Sequence, residues 1–418
     1  RRGGVRAVVG TRAAMFAPVA RLGLAVIWDD GDDLHAEPHA PYPHAREVLC
    51  LRALHEDAAV VVSGFARTAE GAALVGSGWA RSVSAPRTVV RRAAPAVRVA
   101  GDDGDLGRDE AARAARLPSV AWQTVREGLE RGPVLVQVPR AGYLPSLTCA
   151  GCRVPARCAT CHGPLTAPDR DATLACGWCG ALATAWRCPH CDAGATRARV
   201  VGARRTADEL GRAFPRATVL TSGGRTVLDA VGPDPALVVA TPGAEPVAEG
   251  GYAAAVLLDG WALLTRPDLR ASEEALRRWL TAAALVRPAD RQGQVVLLAE
   301  PGAPAVQALV RWDPTTFAER ELADRRALRL PPAASMASLT GAADPLRRFL
   351  EVARLPEPAE VLGPVPVSGD DASQRLLVRV PRSVARDLAA ALRAAAGVRS
   401  AHKEPGGLRV QVDPLEIA

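Results

Sequence analysis

Eight of the nine cysteines lie between residues 149 and 191 and form four Cys-x-x-Cys knuckles. A gap of two residues lets both thiolates of a tight turn point at one tetrahedral metal centre, whereas a disulfide across so short a loop is strained. Four such pairs predict two zinc centres with four sulfur ligands each. The pairs are Cys149/Cys152, Cys158/Cys161, Cys176/Cys179 and Cys188/Cys191.

The spacing leaves open which knuckles share a metal, because four pairs allow three pairings. Fourteen residues separate Cys161 from Cys176, close to the usual loop of a zinc ribbon, and this favours a nested pairing. Four sulfurs saturate each tetrahedron and leave no position for water, so both zinc ions are predicted to be structural. The first set is then Cys149, Cys152, Cys188 and Cys191, and the second set is Cys158, Cys161, Cys176 and Cys179.

Other interpretations of these residues are weaker. His162 and His190 stand beside ligand cysteines and could replace one, but eight sulfurs already complete two centres. Disulfides would imply a secreted protein, whereas the flanking residues are typical of a cytosolic α/β scaffold. Cys50, the ninth cysteine, falls in a helical pattern and is most simply a small buried hydrophobe.

A second candidate site is acidic and follows an apolar run. Carboxylates occupy four of the five positions from 29 to 33, and Asp29 and Asp30 follow the run at 24–27 after Trp28. Such a cluster could bind a cation. The alternative is a solvated acidic loop.

The composition is that of an ordinary globular protein long enough for two or three domains. The 418 residues are 48% hydrophobic and 23% charged, which excludes a largely disordered or fibrous chain. The net charge of +7 reflects 52 basic residues, of which only Lys403 is a lysine. This charge is weak evidence for binding to nucleic acid, and a solvated basic surface is an equal alternative. The most apolar stretch, 252–264, is shorter than the ~20 residues of a membrane span.

Short apolar runs alternating with helical patterns predict an α/β fold. Continuous apolarity indicates strands of parallel sheets covered on both faces, and the runs are 24–27, 60–62, 134–136, 237–239, 255–258 and 295–298. Helices are predicted at 45–56, 206–214, 272–286 and 317–328, with Thr206 and Glu209 as a capping box. Beyond Leu330-Pro331-Pro332, strands at 337–340, 376–380 and 408–412 alternate with helices at 345–353 and 383–395, which predicts a small α+β domain.

Segments along the whole chain, taken in order, resemble the PriA family of replication-restart DNA motors, also called primosomal protein N′. The cysteine spacing together with its flanks is specific, whereas one flank alone is weak. The matching segments are 10–18, 24–33, 44–46, 139–143, the eight-cysteine block, 266–273, 292–297, 330–332, 362–366 and 412–414.

This resemblance implies an architecture of two RecA-like superfamily 2 helicase lobes, the first one partial. The implied bounds are 1–125 for the remainder of lobe 1 and 126–332 for lobe 2, with a two-zinc insertion at 147–194, in which the family pairing is nested. Residues 333–418 would form a small α+β C-terminal DNA-binding domain. A 3′-end-binding domain, a winged helix and the phosphate-binding loop are expected upstream, so the chain is interpreted as N-terminally truncated.

The motifs with which this family hydrolyses ATP are degenerate at the matching positions. The Asp-Glu-Glu-His box matches residues 29–32, where Asp29 could still hold magnesium, Asp30 stands at the base position and Asp32 replaces the histidine. The Gly-Ser-Ala-Thr-Pro box matches residues 63–67 without its hydroxyl and proline. Whether ATP and Mg²⁺ still bind is left open by these residues.

The later motifs are degenerate as well. The Gly-Thr-Gln box keeps only Thr241, and the arginine-finger box has Leu285 and Pro288 at the finger positions, with Arg287 and Arg291 nearby. A phosphate-binding Gly-x-x-x-x-Gly-Lys-Ser/Thr loop needs a lysine. The only lysine, Lys403, stands in Ala-His-Lys-Glu-Pro, which does not match this motif, so residues 1–418 contain no such loop.

The resemblance is to the actinobacterial branch of the family, which implies a DNA-binding protein without helicase activity that recognises stalled or branched replication forks and recruits the replication machinery. The alternatives are an active ATP-dependent 3′-to-5′ helicase and a zinc-ribbon scaffold that does not contact DNA. The implied partners are branched or forked DNA, replication-restart and helicase-loading proteins and single-stranded-DNA-binding protein, in the cytoplasm and at the nucleoid, with no membrane. The candidate DNA contacts flank the cysteines and are Arg140, Arg153, Arg157, Arg197 and Arg199.

Overall fold

The computed structural model of the chain describes residues 4–100, 117–139, 147–150, 156–160, 162, 165–167, 173–176, 181–198, 203–264, 266, 268–367 and 370–416. The helices are α1 (Ala45–Glu56), α2 (Ala69–Gly76), α3 (Arg87–Ala93), α4 (Ser119–Leu129), α5 (Ala203–Ala213), α6 (Gly260–Leu264), α7 (Ala271–Ala284), α8 (Pro304–Arg311), α9 (Pro314–Ala327), α10 (Ala343–Val352) and α11 (Ala385–Ala401). Short 3-10 helices lie at Arg12–Phe16, Asp33–His35, Ala289–Arg291 and Arg382–Val384.

The strands belong to six separate sheets among the described residues. They are β1 (Leu24–Trp28), β2 (Ala59–Ser63), β3 (Ala96–Val99), β4 (Val134–Gln137), β5 (Leu147–Cys149), β6 (Leu165–Thr166), β7 (Leu174–Cys176), β8 (Leu182–Ala183), β9 (Thr196–Ala198), β10 (Thr218–Ser222), β11 (Ala230–Val231), β12 (Ala236–Ala240), β13 (Val247–Ala248), β14 (Ala254–Leu257), β15 (Gln294–Leu297), β16 (Ala334–Gly341), β17 (Glu360–Val367), β18 (Asp370–Pro381) and β19 (Leu408–Val412).

The chain divides into two compact units. The first unit combines Arg1–Ser82 with Thr315–Ala418, and the second unit is Val83–Pro314. This division differs from a domain boundary between residues 125 and 126, because β3 pairs with β15 and so joins the sheet of the second unit. A strand belongs to the sheet that satisfies its backbone donors and acceptors, wherever that sheet lies along the chain.

The second unit is built on a six-stranded parallel sheet in the order β10-β12-β4-β14-β15-β3. The strands β4, β12 and β14 are buried along their whole length, which confirms the interpretation of their continuous apolar runs. Helices α4 and α5 contribute Val125 and Leu210 to the core. Helix α4 lies so close to the sheet that a Cβ on Gly128 would be 2.6 Å from Val134 Cγ2, so this contact requires glycine.

The N-terminal part of the first unit is a parallel pair, β1 and β2, in a register that places Trp28 opposite Ser63. Helix α1 covers one face, where Ile27 and Ala45 are buried with Met15. On the other face Leu24, Val26 and Trp28 are each more than half exposed. Cover on both faces, predicted for this run, is therefore not found within the residues that the structure describes.

The C-terminal part of the first unit is an antiparallel sheet in the order β17-β18-β16-β19. Helices α10 and α11 pack on it through a core that includes Phe349, Leu392, Leu339 and Val378. These features confirm the predicted small α+β domain. The sequence did not predict β17, because Gly363, Pro364 and Pro366 are typical of turns and of edge strands.

Helix α5 begins at Ala203, one turn before its predicted start. Thr206 therefore lies inside the helix and is completely buried. The predicted capping box at Thr206 and Glu209 is wrong, because this threonine faces the core instead of starting the helix. Of the helices in the described ranges, none is both long enough and apolar enough to cross a bilayer.

Candidate metal centre and acidic site

A short antiparallel ladder brings the two ends of the cysteine block together. Strand β5 pairs with β9, so Cys149 lies opposite Thr196. The ladder continues where the Ala150 N–H donates to the Ala195 carbonyl at 2.9 Å, and the fourth knuckle is closed where the Cys188 N–H donates to the Ala193 carbonyl at 3.0 Å. The first and fourth knuckles thus meet at this stem, although Cys149 and Cys191 are 42 residues apart in the chain.

Three of the four cysteines in the first set form a cluster that could hold a metal ion. The Sγ atoms of Cys149, Cys188 and Cys191 all lie within 4.8 Å of one another, and Cys149 Sγ is 3.4 Å from Cys191 Sγ. Sulfurs at about 2.3 Å from a tetrahedral zinc are roughly 3.8 Å apart, so these distances fit that ion. The fourth predicted ligand, Cys152, lies outside the described residues.

The second set is described in part. Cys158 and Cys176 are both 4% exposed and pack in one apolar cluster with Leu147 and Leu165. Strand β7, which ends at Cys176, lies between β6 and β8 in a three-stranded sheet. Cys161 and Cys179 lie outside the described residues, so the geometry of a complete second centre is not described.

The same backbone arrangement occurs in two knuckles of different sets. The Thr160 N–H donates to Cys158 Sγ at 3.3 Å, and the His190 N–H donates to Cys188 Sγ at 3.4 Å. Hydrogen bonds of this kind orient a metal ligand and stabilise its negative charge. Both knuckles therefore orient the first cysteine sulfur in the same way.

The acidic site contains a buried ion pair between Asp30 and Arg46. Asp30 follows β1 and accepts from Arg46 Nη1 of α1 at 2.8 Å, and each of the two side chains is only 5% exposed. The Thr68 hydroxyl, at the start of α2, donates to the same carboxylate oxygen at 2.9 Å. This oxygen is thus engaged by two donors inside the protein.

Three carboxylates around Arg46 favour the ionised form of its guanidinium. Burial disfavours the charged guanidinium of Arg46, but the carboxylates of Glu70, Asp30 and Glu47 outweigh that effect, so the pKa of Arg46 is raised. Glu70, in the first turn of α2, is itself 8% exposed. The network therefore joins the end of β1 to α1 and α2.

Asp29, in the first motif-like segment, lies beside Ser63, the first residue of the second. Its backbone N–H donates to the Ser63 carbonyl at 2.6 Å, and it has a left-handed backbone with φ of 58°. Asp32 accepts from the Leu34 N–H at 2.9 Å and caps the short helix Asp33–His35. The structure thus brings the two motif-like segments together, with backbone capping as the observed role of Asp32.

Arg46 and Thr68 were missed as members of this site by reasoning from the sequence. Nothing in local spacing shows that a helix arginine will be buried against a carboxylate 16 positions earlier. The only signal was the family-like segment 44–46.

The residues at and near the arginine-finger positions have structural roles. Leu285 follows the last turn of α7, and Pro288 precedes the short helix Ala289–Arg291. Arg287 donates to the backbone carbonyls of Gly250 at 3.2 Å, Gly251 at 3.0 Å and Arg131 at 2.9 Å. Its guanidinium is thus occupied with backbone.

Two other motif residues, Thr241 and Arg291, are respectively buried and exposed. The Thr241 hydroxyl is buried and has no hydrogen-bond partner among the described residues. Arg291 is exposed.

Of the five candidate DNA contacts, one side chain is described. Arg157 is exposed, and its Nη1 donates to the His162 carbonyl at 3.4 Å. Arg197 lies in β9, and its side chain is outside the described part of the chain. Arg140, Arg153 and Arg199 lie outside the described residues.

Comparisons with known proteins agree with this organisation. A family model described as "Primosomal protein N C-terminal domain" matches residues 326–415, from the end of α9 through β19. The "Probable replication restart protein PriA" of Mycobacterium bovis is 52% identical over 436 residues, which cover 100% of this chain and 67% of that relative. The chain belongs to the PriA family of replication restart proteins. The predicted resemblance is confirmed.

Further PriA relatives match over similar lengths. The relative of the same name from Mycobacterium leprae is 53% identical over 430 residues, covering 100% of this chain and 66% of its own length. The "Replication restart protein PriA" of Treponema pallidum is 26% identical over 443 residues, covering 98% and 65%. The chain thus spans about two thirds of the length of these PriA relatives.

Proposed function

We propose that this chain is the DNA-binding framework of a replication-restart protein that recognises stalled or branched forks and recruits the replication machinery without acting as a helicase. Family membership supports the place in replication restart. The observation that carries the non-catalytic part is the buried pair of Asp30 and Arg46, which engages the carboxylate at the base position. Its cellular place would be the cytoplasm, at the nucleoid.

The chemistry of ATP hydrolysis explains why the Asp30–Arg46 pair argues against catalysis. A motor needs a carboxylate that is free to orient water, and arginines that reach the γ-phosphate. Here the Asp30 oxygen already accepts from Arg46 and Thr68, and Arg287 is bonded to three backbone carbonyls. An arginine finger alone contributes on the order of 10³ to 10⁵ in rate, so these losses together would abolish turnover.

We expect steady-state phosphate release from Mg-ATP, with forked DNA present, to stay at the level of a boiled control. The Asp30→Glu variant restores the length of the catalytic acid but leaves Arg46 and the finger positions unchanged, so it should not raise the rate. The assay needs the complete gene product, so that any upstream phosphate-binding loop is included. Turnover well above the boiled control would contradict the proposal and favour an active 3′-to-5′ helicase.

The metal content belongs to the same proposal. Two structural zinc ions would be held by the nested first and second sets, within an insertion of the second of two helicase-like lobes. Three clustered sulfurs of the first set support the pairing. So few large apolar residues surround the cysteines that the metal would supply much of the folding free energy of this block. Bound zinc would shape the surface that carries the flanking arginines.

Binding to fork DNA should weaken steeply as salt rises, because arginines that neutralise phosphates release counterions. Replacing Arg157 or Arg197 by alanine should make the log–log salt slope shallower by about 0.9 for each phosphate that is no longer neutralised. Arg205→Ala is the matched control, since this exposed arginine lies outside the C-terminal domain and already pairs with Glu209. Fluorescence anisotropy over a salt series measures the slope. A flat response of the unmodified chain would support a scaffold that does not contact DNA.

A further inference from the structure

Among the five cysteines of the block that the structure describes, Cys191 alone is exposed to solvent. In the first set Cys149 and Cys188 are buried, but Cys191 is exposed. The residues around it, from Pro189 to Asp192, are exposed as well. In the second set both described cysteines, Cys158 and Cys176, are buried inside an apolar cluster. An oxidant dissolved in water therefore has access to an exposed residue of the first set.

The exposed sulfur has a buried partner at short range. Cys191 Sγ lies 3.4 Å from Cys149 Sγ, and a disulfide requires about 2.05 Å, so a movement of little more than 1 Å would join them. Cys191 belongs to a turn whose backbone is held by the Asp192 N–H, which donates to the Cys188 carbonyl at 2.9 Å. Cys149 ends β5, which is held by its ladder with β9. A small shift of the exposed turn toward the strand would bring the two sulfurs to that distance.

We propose that Cys191 is an oxidation site, and that a peroxide converts Cys149 and Cys191 to a disulfide with loss of the first zinc while the second zinc is retained. This inference rests on the proposed two-zinc centre. The thiolate is the form of cysteine that binds zinc and also the form that peroxides oxidise.

The reaction balances with hydrogen peroxide as the only oxidant. The Cys191 thiolate attacks one peroxide oxygen, the O–O bond breaks, and a sulfenic acid and hydroxide form. The Cys149 thiolate then attacks the Cys191 sulfur, the S–S bond forms and a second hydroxide leaves. Two protons from solvent convert the hydroxides to water, so two thiolates are oxidised and one peroxide is reduced. The first set then has two sulfurs fewer, too few to retain its ion.

Cys50 provides a control inside the same chain. It lies in α1, far from the cysteine block in sequence, and burial raises its pKa to about 11. At neutral pH almost none of this thiol is ionised, so it should react slowly with peroxide. The Cys50→Ser variant should therefore release zinc with the same time course as the unmodified chain.

The test is a peroxide time course on the full chain loaded with zinc, with released zinc measured by a chromogenic chelator and cysteine pairing mapped by mass spectrometry after alkylation. One zinc per chain should leave about tenfold faster than the other. A peptide linking Cys149 to Cys191 should appear at the fast rate, while Cys158 and Cys176 stay reduced. Thiol reductant with added zinc should reverse both changes.

Release of both ions at one rate, or a fast phase in which Cys191 remains reduced, would overturn the inference. A starting chain that holds no zinc would instead overturn the two-zinc proposal, so the two failures are distinguishable. The Cys191→Ser variant gives a second measurement that does not depend on an intact first centre. Its remaining zinc should leave only at the slow rate, and fast loss of that ion would also count against the inference.

Discussion

The double variant Cys149→Ser with Cys188→Ser is expected to lose one of two zinc ions and to retain the other. The reason is that the first and fourth knuckles meet at the β5–β9 stem, where they would serve one centre of the proposed pair. The two other pairings place these cysteines in different centres, so the same variant would then lose both ions. Metal content measured by inductively coupled plasma mass spectrometry on the folded chain distinguishes the outcomes.

The matched double variant, Cys158→Ser with Cys188→Ser, should lose both ions, since it removes one ligand from each set. Because structural zinc supplies about 10–16 kcal/mol of folding free energy at neutral pH in small zinc domains, losing both ions should unfold the block. Rapid proteolysis at its arginines would report that unfolding. Retention of one zinc in this variant would contradict the nested arrangement.

The second large effect is expected at Arg46. Removing it as Arg46→Ala leaves the Asp30 carboxylate buried without its cation, and breaking a buried pair in this way costs about 3–5 kcal/mol in the free energy of unfolding. The measurement is urea denaturation followed by tryptophan fluorescence, for which Trp28 is a local probe two residues before Asp30. Its aromatic ring contacts Phe65 edge to face.

Two further variants separate the loss of a charge partner from the loss of packing. The double variant Arg46→Met with Asp30→Leu removes the pair and keeps apolar volume but leaves the buried Glu70 without its cation, so it should recover part of the lost stability. Arg347→Ala removes an exposed arginine from α10 and should leave the midpoint close to that of the unmodified chain. If Arg46→Ala unfolds at the same urea concentration as Arg347→Ala, the buried pair does not stabilise this unit.

Local patterns determined much of the fold. The continuous apolar runs became β4, β12, β14 and β15 in one parallel sheet, because a strand covered on both faces needs no polar residues. The alternating elements after Pro332 became the C-terminal sheet and its two helices. Motif spacing also predicted the metal chemistry, since a Cys-x-x-Cys turn is a property of four neighbouring residues.

Contacts between distant segments required the tertiary structure. The meeting of the first and fourth knuckles depends on the β5–β9 ladder, and the assignment of β3 to the second unit depends on its pairing with β15. The engagement of Asp30 depends on where α1 and α2 place Arg46 and Thr68. Residue type and spacing thus determined which groups this protein has for chemistry, whereas packing decided which of them are buried, joined or exposed, because burial and pairing are set by neighbours that are remote in sequence.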